Sequence, residues 1–376
     1  MEKLIIKEKS PRKKMEIPFF FAKREHKFLK SEIISSISKS FLHGQTLQGP
    51  EVEIFENKIS KFVGKKFAIA VGSCTDALFF SLKAGGINKG DEVIVTSYSY
   101  LASATCILRC GAKPVFVDVD KNGNMQVNQV LKKINKKTKA IIYVHLFGYC
   151  QNITELLKIS KKNKILFIED FAQALGASIN KKKAGSLGDI SCTSFDPTKV
   201  LSAPGSGGIV LTNNKIIKNK IIKLRYHGKS KSGDHDILGF NSQLPSIVAA
   251  ALLVKLKYFN KLQNKRISIA KQYLKNFKDL NLSLPPLGNR SQHIYHKFVI
   301  RTNQRNKLFK YLKNHGIHSL IHYSKPIHKL KIFSKFNSKF PISEQLSKTS
   351  LSIPIHPYLK KAEINHIIKT IKFFFK

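Results

Sequence analysis

Ile165-Leu166-Phe167-Ile168-Glu169-Asp170 is the stretch on which the fold turns. Four consecutive apolar residues leave no polar face, so a strand built from them must be covered on both sides. The two carboxylates mark where it stops. Similar runs precede it: Phe67-Ala68-Ile69-Ala70-Val71, Glu92-Val93-Ile94-Val95, Pro114-Val115-Phe116-Val117 and Ala140-Ile141-Ile142-Tyr143-Val144. Helical segments lie between most of them, and two further strands are expected around residues 190–195 and 208–212. Continuous apolar strands alternating with helices predict an α/β domain whose mostly parallel sheet carries helices on both faces.

Working outward, residues 27–42 predict a helix, and an amphipathic helix is expected from Asp76 to about Ala84. From about Leu244 the character changes to long helices, led by Ala249-Ala250-Ala251-Leu252-Leu253. His296-Lys297-Phe298-Val299-Ile300 then reads as a strand and residues 304–315 as a helix, the makings of a smaller α+β domain. The expected organisation is a flexible tail over 1–16, a large domain over 17–255 and a small C-terminal domain over 256–376.

Composition narrows the function classes. A hydrophobic content of 42% suits a globular chain, and no run is long enough to span a bilayer. The first ten residues lack the apolar core of a signal peptide, which points to the cytoplasm. Five cysteines, an odd number without a Cys-x-x-Cys pair, suggest neither a zinc knuckle nor a disulfide framework. His293 with His296, and His322 with His328, lack the accompanying ligand spacing of a metal site. The net charge of +43 raises the question of nucleic acid. Its lysines are scattered, however, as solvated faces and not as one binding stripe, so nucleic acid is not an expected partner. A positive field would still attract an anionic substrate. Gly205-Ser206-Gly207-Gly208 does not sit between a first strand and its helix, so it is no dinucleotide fingerprint.

In a parallel sheet, ligands bind beyond the carboxyl ends of the strands. Asp170 follows one such end, Thr75 and Asp76 another, Tyr98 and Tyr100 a third, and Ser194 and Lys199 a fourth. Pyridoxal 5'-phosphate (PLP) chemistry needs that combination: a lysine for the Schiff base and a carboxylate opposite the pyridinium nitrogen. It also needs hydroxyls and free N–H groups at a helix start for the phosphate, and an aromatic face against the ring. Lys199, Asp170, Thr75 with Ser194, and Tyr100 would fill these four roles. Each also has a plainer reading: Lys199 as a surface residue, Asp170 or Thr75-Asp76 as a helix cap, Tyr100 as core.

Beyond these residues, the chain from Ile17 onward resembles the DegT/DnrJ/EryC1/StrS family of sugar aminotransferases. The matching stretches run in order: Gly49-Pro50-Glu51-Val52, Cys74-Thr75-Asp76-Ala77-Leu78, Gly90-Asp91-Glu92-Val93-Ile94 and Gly111 to Asp118. Val144-His145-Leu146-Phe147-Gly148 follows. The most specific pair is Glu169-Asp170-Phe171-Ala172-Gln173-Ala174-Leu175-Gly176 with Ser194-Phe195-Asp196-Pro197-Thr198-Lys199. Gly239-Phe240-Asn241-Ser242, Gly316-Ile317 and His322-Tyr323 complete the series.

The resemblance implies the type I PLP-dependent aminotransferase fold. It makes Lys199 the catalytic Schiff-base lysine and sets Asp170 on the pyridine nitrogen, Gln173 beside the ring hydroxyl and Tyr100 on the ring face. Cys74, Thr75 and Ser194 would hold the phosphate. Asn241 would reach the phosphate of a neighbouring subunit, making the enzyme a homodimer. The implied reaction carries an amino group from L-glutamate to a nucleotide-linked keto-(di)deoxysugar, for a surface polysaccharide or a glycosylated metabolite. The stretch from Asn241 through Lys255-Leu256 to Arg266, Ala270 and Tyr273 looks closer to the branch that makes 3-amino than 4-amino sugars.

Five departures bear on that expectation, one of them Pro245 in place of an Asp. Cys74 stands where the family usually has Gly, Asp196 where Tyr or His is common, Ser206 in place of an acid and Gln243 in place of an Arg. They leave an alternative, a catalytically weak member acting as a regulatory or binding protein. In family members that are sugar dehydratases the lysine is replaced by histidine; here it is Lys199, which favours amino transfer.

Overall fold

The structure, a computed structural model, describes residues 15–287, 291–336 and 338–376. The expected flexible tail, 1–16, lies outside the described residues except for its last two. Two helices come first, α1 (Ala22–Phe41) and α2 (Pro50–Val63). The strands β1 (Phe67–Val71), β2 (Glu92–Thr96), β3 (Lys113–Val117), β4 (Thr138–Val144) and β5 (Leu166–Asp170) follow. After two short strands, β6 (Ser178–Ile179) and β7 (Lys182–Lys183), come β8 (Ile190–Ser194) and β9 (Gly208–Thr212). The helices α3 (Cys74–Ala84), α4 (Ala102–Arg109), α5 (Val127–Leu131) and α6 (Thr154–Lys162) connect the first five strands, and α7 (Lys215–Arg225) follows β9.

Seven strands form one sheet in the order β1-β9-β8-β5-β4-β2-β3. Pairing is parallel from β8 to β3, whereas β9 lies antiparallel to both β1 and β8. A single reversed strand therefore sits in an otherwise parallel sheet. Alternate residues enter cores on opposite faces: Val93, Val95, Ala140 and Ile142 pack with α3 and α4, while Ile94, Ile141 and Phe167 pack with α6. Burial on both faces is the physical reason that these strands read as unbroken apolar runs.

The helix expected over 27–42 begins five residues earlier, at Ala22. Its first turn includes Glu25, whose Oε2 accepts a 2.6 Å hydrogen bond from Lys255 Nζ. Both side chains are buried, so the pair fixes the start of α1 against α8 (Ser246–Phe277). The 32 residues of α8 make a rod of roughly 48 Å at 1.5 Å per residue. Val248, Ala249 and Leu252 of its first half pack with α2 beneath the sheet. Ile269, Tyr273 and Phe277 of its second half pack into a separate C-terminal cluster. Residue 255 lies within this helix.

That cluster is built on β11 (Phe298–Arg301), α9 (Arg305–Asn314), β12 (Ser350–Ile353) and α11 (Lys361–Phe374), with β11 antiparallel to β12; α10 (Pro341–Thr349) precedes β12, and β10 (Ser291–Gln292) pairs with β6 instead. Ile17 completes the cluster from the other end of the chain. Its N–H donates to Gly316 O at 2.8 Å, and its carbonyl accepts from His318 N at 3.1 Å.

Candidate active site

Parallel pairing brings the ends of β2, β4, β5 and β8 to one edge of the sheet. The reversed β9 starts at that same edge, with Gly208 opposite both Val71 and Ser194. The loop joining β8 to β9, which carries Lys199, thereby leaves the strand paired with β5, whose last residue is Asp170. A cavity of about 400 Å³ opens there, and Cys74, Thr75, Tyr100, Asp170, Gln173, Ser194 and Lys199 all line it. Asn241 does not. It is exposed, and the resemblance assigns it to a neighbouring subunit's cavity, which one chain does not contain.

One end of the cavity is the start of α3. The cap is Ser73, whose Oγ accepts from Asp76 N at 3.1 Å, and not the Thr75-Asp76 pair expected from sequence. Cys74 and Thr75 thus fall in the first turn, where N–H groups have no intrahelical acceptor and the dipole is positive. Asp76 faces away, accepting from Arg109 at 2.6 Å and from Ser242 Oγ at 2.8 Å. A Cβ on Gly208 would meet the backbone of Ser73 and Cys74 at 2.4–2.5 Å, so only glycine lets β9 approach this helix start. Burial, with Asp170 and Cys192 adding to it, pushes the Cys74 thiol well above its ordinary range. It is a neutral thiol in the first turn of α3.

Asp170 lines the same cavity. Its Oδ2 accepts from Ser103 Oγ at 2.7 Å and its Oδ1 from Ala172 N at 3.1 Å. It is 5% exposed, and burial raises its pKa against the lowering effect of the Ser103 hydrogen bond. Among the described residues it has no ion pair. Glu169, one residue earlier, points to the other side of the sheet and is fully buried. Its carboxylate accepts from His145 Nε2 at 2.8 Å and from the N–H groups of Gly185, Leu187 and Gly188 at 2.6–2.9 Å. Burial pushes Glu169 up, but His145 and these N–H groups outweigh it and hold the carboxylate low. His145 is depressed by burial yet raised by Cys150 and Glu169, to about 10 overall.

Gln173 is locked from both sides. Its Oε1 accepts from Phe147 N and its Nε2 donates to Tyr323 Oη, each at 3.0 Å. In the β8–β9 loop, Asp196 Oδ1 accepts from Thr198 N at 2.9 Å and Thr198 Oγ1 at 2.6 Å. Asp196 O accepts from Lys199 N at 2.9 Å. The unusual acid at 196 therefore has a local task as the cap of the turn that presents Lys199. Ser202, three residues on, donates to Glu25 Oε2 at 3.0 Å and ties the loop to the buried Glu25–Lys255 pair. Of the other departures, Ser206 lines the cavity and Gln243 hydrogen-bonds Gln48.

Sequence reasoning missed part of the lining. Ser103, Phe20, His296, Lys297, His322 and Tyr323 also face the cavity. The two histidines from the rejected metal pairs meet here, but their former partners do not: His293 stacks on Tyr295 at 4.0 Å and His328 reaches Glu344 at 3.2 Å. Among the described residues no three His, Cys, Asp or Glu side chains converge as a metal site would need. Likewise among them, no helix is long and apolar enough to cross a membrane.

A buried carboxylate, the first turn of a helix approached by a glycine, and a lysine, all on one cavity, match PLP. That cofactor carries a ring nitrogen and a dianionic phosphate at opposite ends. Residues 27–372 match the model of the DegT/DnrJ/EryC1/StrS aminotransferase family. A dTDP-3-amino-3,6-dideoxy-alpha-D-galactopyranose transaminase of Aneurinibacillus thermoaerophilus is 36% identical, over 94% of this chain and 98% of its own. A protein of Geobacillus stearothermophilus named pleiotropic regulatory protein is 34% identical, over 96% and 99%. Among solved structures, DesV of S. venezuelae in complex with a ketimine intermediate superposes with a TM-score of 0.93. It is 30% identical and covers 96% of this chain and 99% of its own. The chain belongs to the DegT/DnrJ/EryC1/StrS aminotransferase family and is a PLP-dependent sugar-nucleotide aminotransferase.

Proposed function

We propose that this chain moves the amino group of L-glutamate onto a nucleotide-linked 3-keto-(di)deoxysugar, as a step in amino-sugar or polysaccharide biosynthesis in the cytoplasm. The observation that carries this reading is the convergence of Lys199, Asp170 and the start of α3 on one cavity. The 3-keto preference is supported by the name of the A. thermoaerophilus relative, a 3-amino-sugar transaminase.

When bound, PLP supplies an electrophilic carbon and an electron-withdrawing ring. Lys199 would anchor that carbon and, once free, would carry the proton between the two ends of the 1,3-shift. Asp170 keeps the ring nitrogen protonated, and Ser103 orients the carboxylate. Gln173 would lie beside the ring hydroxyl and Tyr100 on the ring face. Ser194 and the first turn of α3, with Cys74 and Thr75, would hold the phosphate. Asn241, exposed outside its own cavity, would serve the partner subunit in a homodimer. Large and small domains, 17–255 and 256–376, would share α8 as their common rod.

Purified protein is loaded with PLP and its visible spectrum recorded before and after L-glutamate. A band that bleaches on adding the donor, and is absent in Lys199→Ala, is the expected result. Failure to acquire the band would sink the assignment. A stable band indifferent to every amino donor would favour a regulatory role, the reading suggested by the name of the G. stearothermophilus relative.

A further inference from the structure

Lys297 is the one cation in the cavity that the proposed chemistry leaves unused. Four lining residues carry a formal charge: Asp170, Asp196, Lys199 and Lys297. His296 and His322 stay neutral, since burial, then nearby cations, lowers His296 well below its usual range and His322 to about 3. Lys297 is 7% exposed. Among the described residues its ammonium has no carboxylate within ion-pair distance and no hydrogen-bond acceptor. It rests instead over the rings of Phe19 and Phe20, 4.9 and 5.6 Å from their centres. A buried ammonium without a counter-ion is costly, and a cation–π contact offsets only part of that cost.

From this arrangement we propose that Lys297 binds the α-carboxylate of the amino donor. The inference rests on the donor half-reaction proposed above. For its nitrogen to be exchanged, the donor's Cα must come to the position held by Lys199. Its carboxylate is one bond away and enters the same closed space, where Asp170 and Asp196 repel it. The positive end of α3 would be taken by the cofactor phosphate. A buried carboxylate needs a cation, and Lys297 is the one that remains. The aromatic pair keeps the ammonium in place between turnovers. Burial, then Lys199 and Arg266, brings Lys297 down to about 7, with Asp196 opposing; an incoming carboxylate acts in the opposite sense.

The test compares wild type, Lys297→Met and Lys297→Arg as PLP-loaded enzymes. Calorimetry measures the binding of glutarate, which has the carboxylates but no amino group, and of UDP as a nucleotide control. Spectral titration measures the L-glutamate concentration that half-bleaches the band. Lys297→Gln substitutes for the Met variant if that protein does not fold. The expected result is glutarate and L-glutamate affinity lower by about tenfold or more in Lys297→Met, the loss of one charge-assisted hydrogen bond. Lys297→Arg should stay within about threefold, the allowance for a cation of altered shape, and UDP should bind all variants alike. The proposal is overturned if wild type does not bind glutarate, or if Lys297→Met binds it equally well. Weakened UDP binding with unchanged glutarate also overturns it, and assigns Lys297 to the diphosphate. Wild type that bleaches with no amino acid sinks the donor reading alone, and the glutarate comparison still decides the role of Lys297.

Discussion

Ser103, in the first turn of α4, donates to Asp170 Oδ2 at 2.7 Å from the far side of the cavity floor. Burial raises the pKa of this carboxylate at the end of the sheet's central strand, and through that bond α4 opposes the rise. Removing the hydroxyl in Ser103→Ala should raise the Asp170 pKa further and weaken PLP about tenfold, the scale of one hydrogen bond to a charged group. Asp170→Asn should go further and cost about a hundredfold in turnover, the scale of a lost electrostatic partner. Absorbance titration with PLP and steady-state rates check both; unchanged affinity in Ser103→Ala would dissociate the two residues.

Gly208→Ala tests the close approach of β9 to α3. With backbone atoms 2.4–2.5 Å from the new Cβ, the helix start must move. Overpacking of this kind costs about 3 kcal/mol. The urea midpoint should fall and PLP affinity with it, whereas an intact midpoint would mean that the helix start yields freely.

Lys255→Met leaves Glu25 buried without the cation that pairs with it, though Ser202 still donates to it. Breaking one side of a buried pair costs about 3–5 kcal/mol. Denaturant unfolding should show that loss, and Glu25→Leu combined with Lys255→Met should recover much of it. A double variant as unstable as the single one would locate the cost in packing, not in charge.

His145 gives stability a pH dependence. Its pKa is raised from an ordinary 6.5 to about 10, so its contribution is complete below about 6.5 and is lost as pH rises through 10. Glu169, held low, acts in the opposite sense and loses its contribution only under acid. The difference in unfolding free energy between wild type and His145→Gln should therefore shrink from pH 6.5 to pH 10. A constant difference would show that the imidazole is neutral throughout.

Lys297 makes a separate pH prediction for binding. With its pKa near 7, set by burial, Lys199 and Arg266 against Asp196, the ammonium discharges just above neutrality. Glutarate affinity should fall as pH rises from 6.5 to 8.5 in wild type and stay level in Lys297→Arg. Parallel profiles would place the titrating group elsewhere.

The strands from β1 to β5 were legible because burial on both faces writes itself as an apolar run, and Asp170 was legible because it ends one. The reversal of β9 was not, since Gly208-Ile209-Val210-Leu211-Thr212 has the same composition in either direction. The start of α3 was misjudged because Ser73, Thr75 and Asp76 are all good caps, and only backbone geometry chooses among them. Lys297 was hidden for another reason. A lysine leading into a strand reads as solvent-facing, and its burial depends on Phe19 and Phe20 arriving from the other end of the chain. Ser103 carried no signal at all, because a serine in a helix is ordinary until an acid is found opposite it.

The docking of Ile17 against Gly316 and His318 joins the first described residues to a cluster completed near the last. On the ribosome, roughly 300 residues separate the emergence of these partners, about 15–60 s at ordinary rates of synthesis. Throughout that interval Ile17, Phe19 and Phe21 have no place to bury. A chain stalled or cut short before residue 317 therefore presents an uncovered apolar segment at its N-terminus, a handle for chaperones or proteases that the finished protein withdraws.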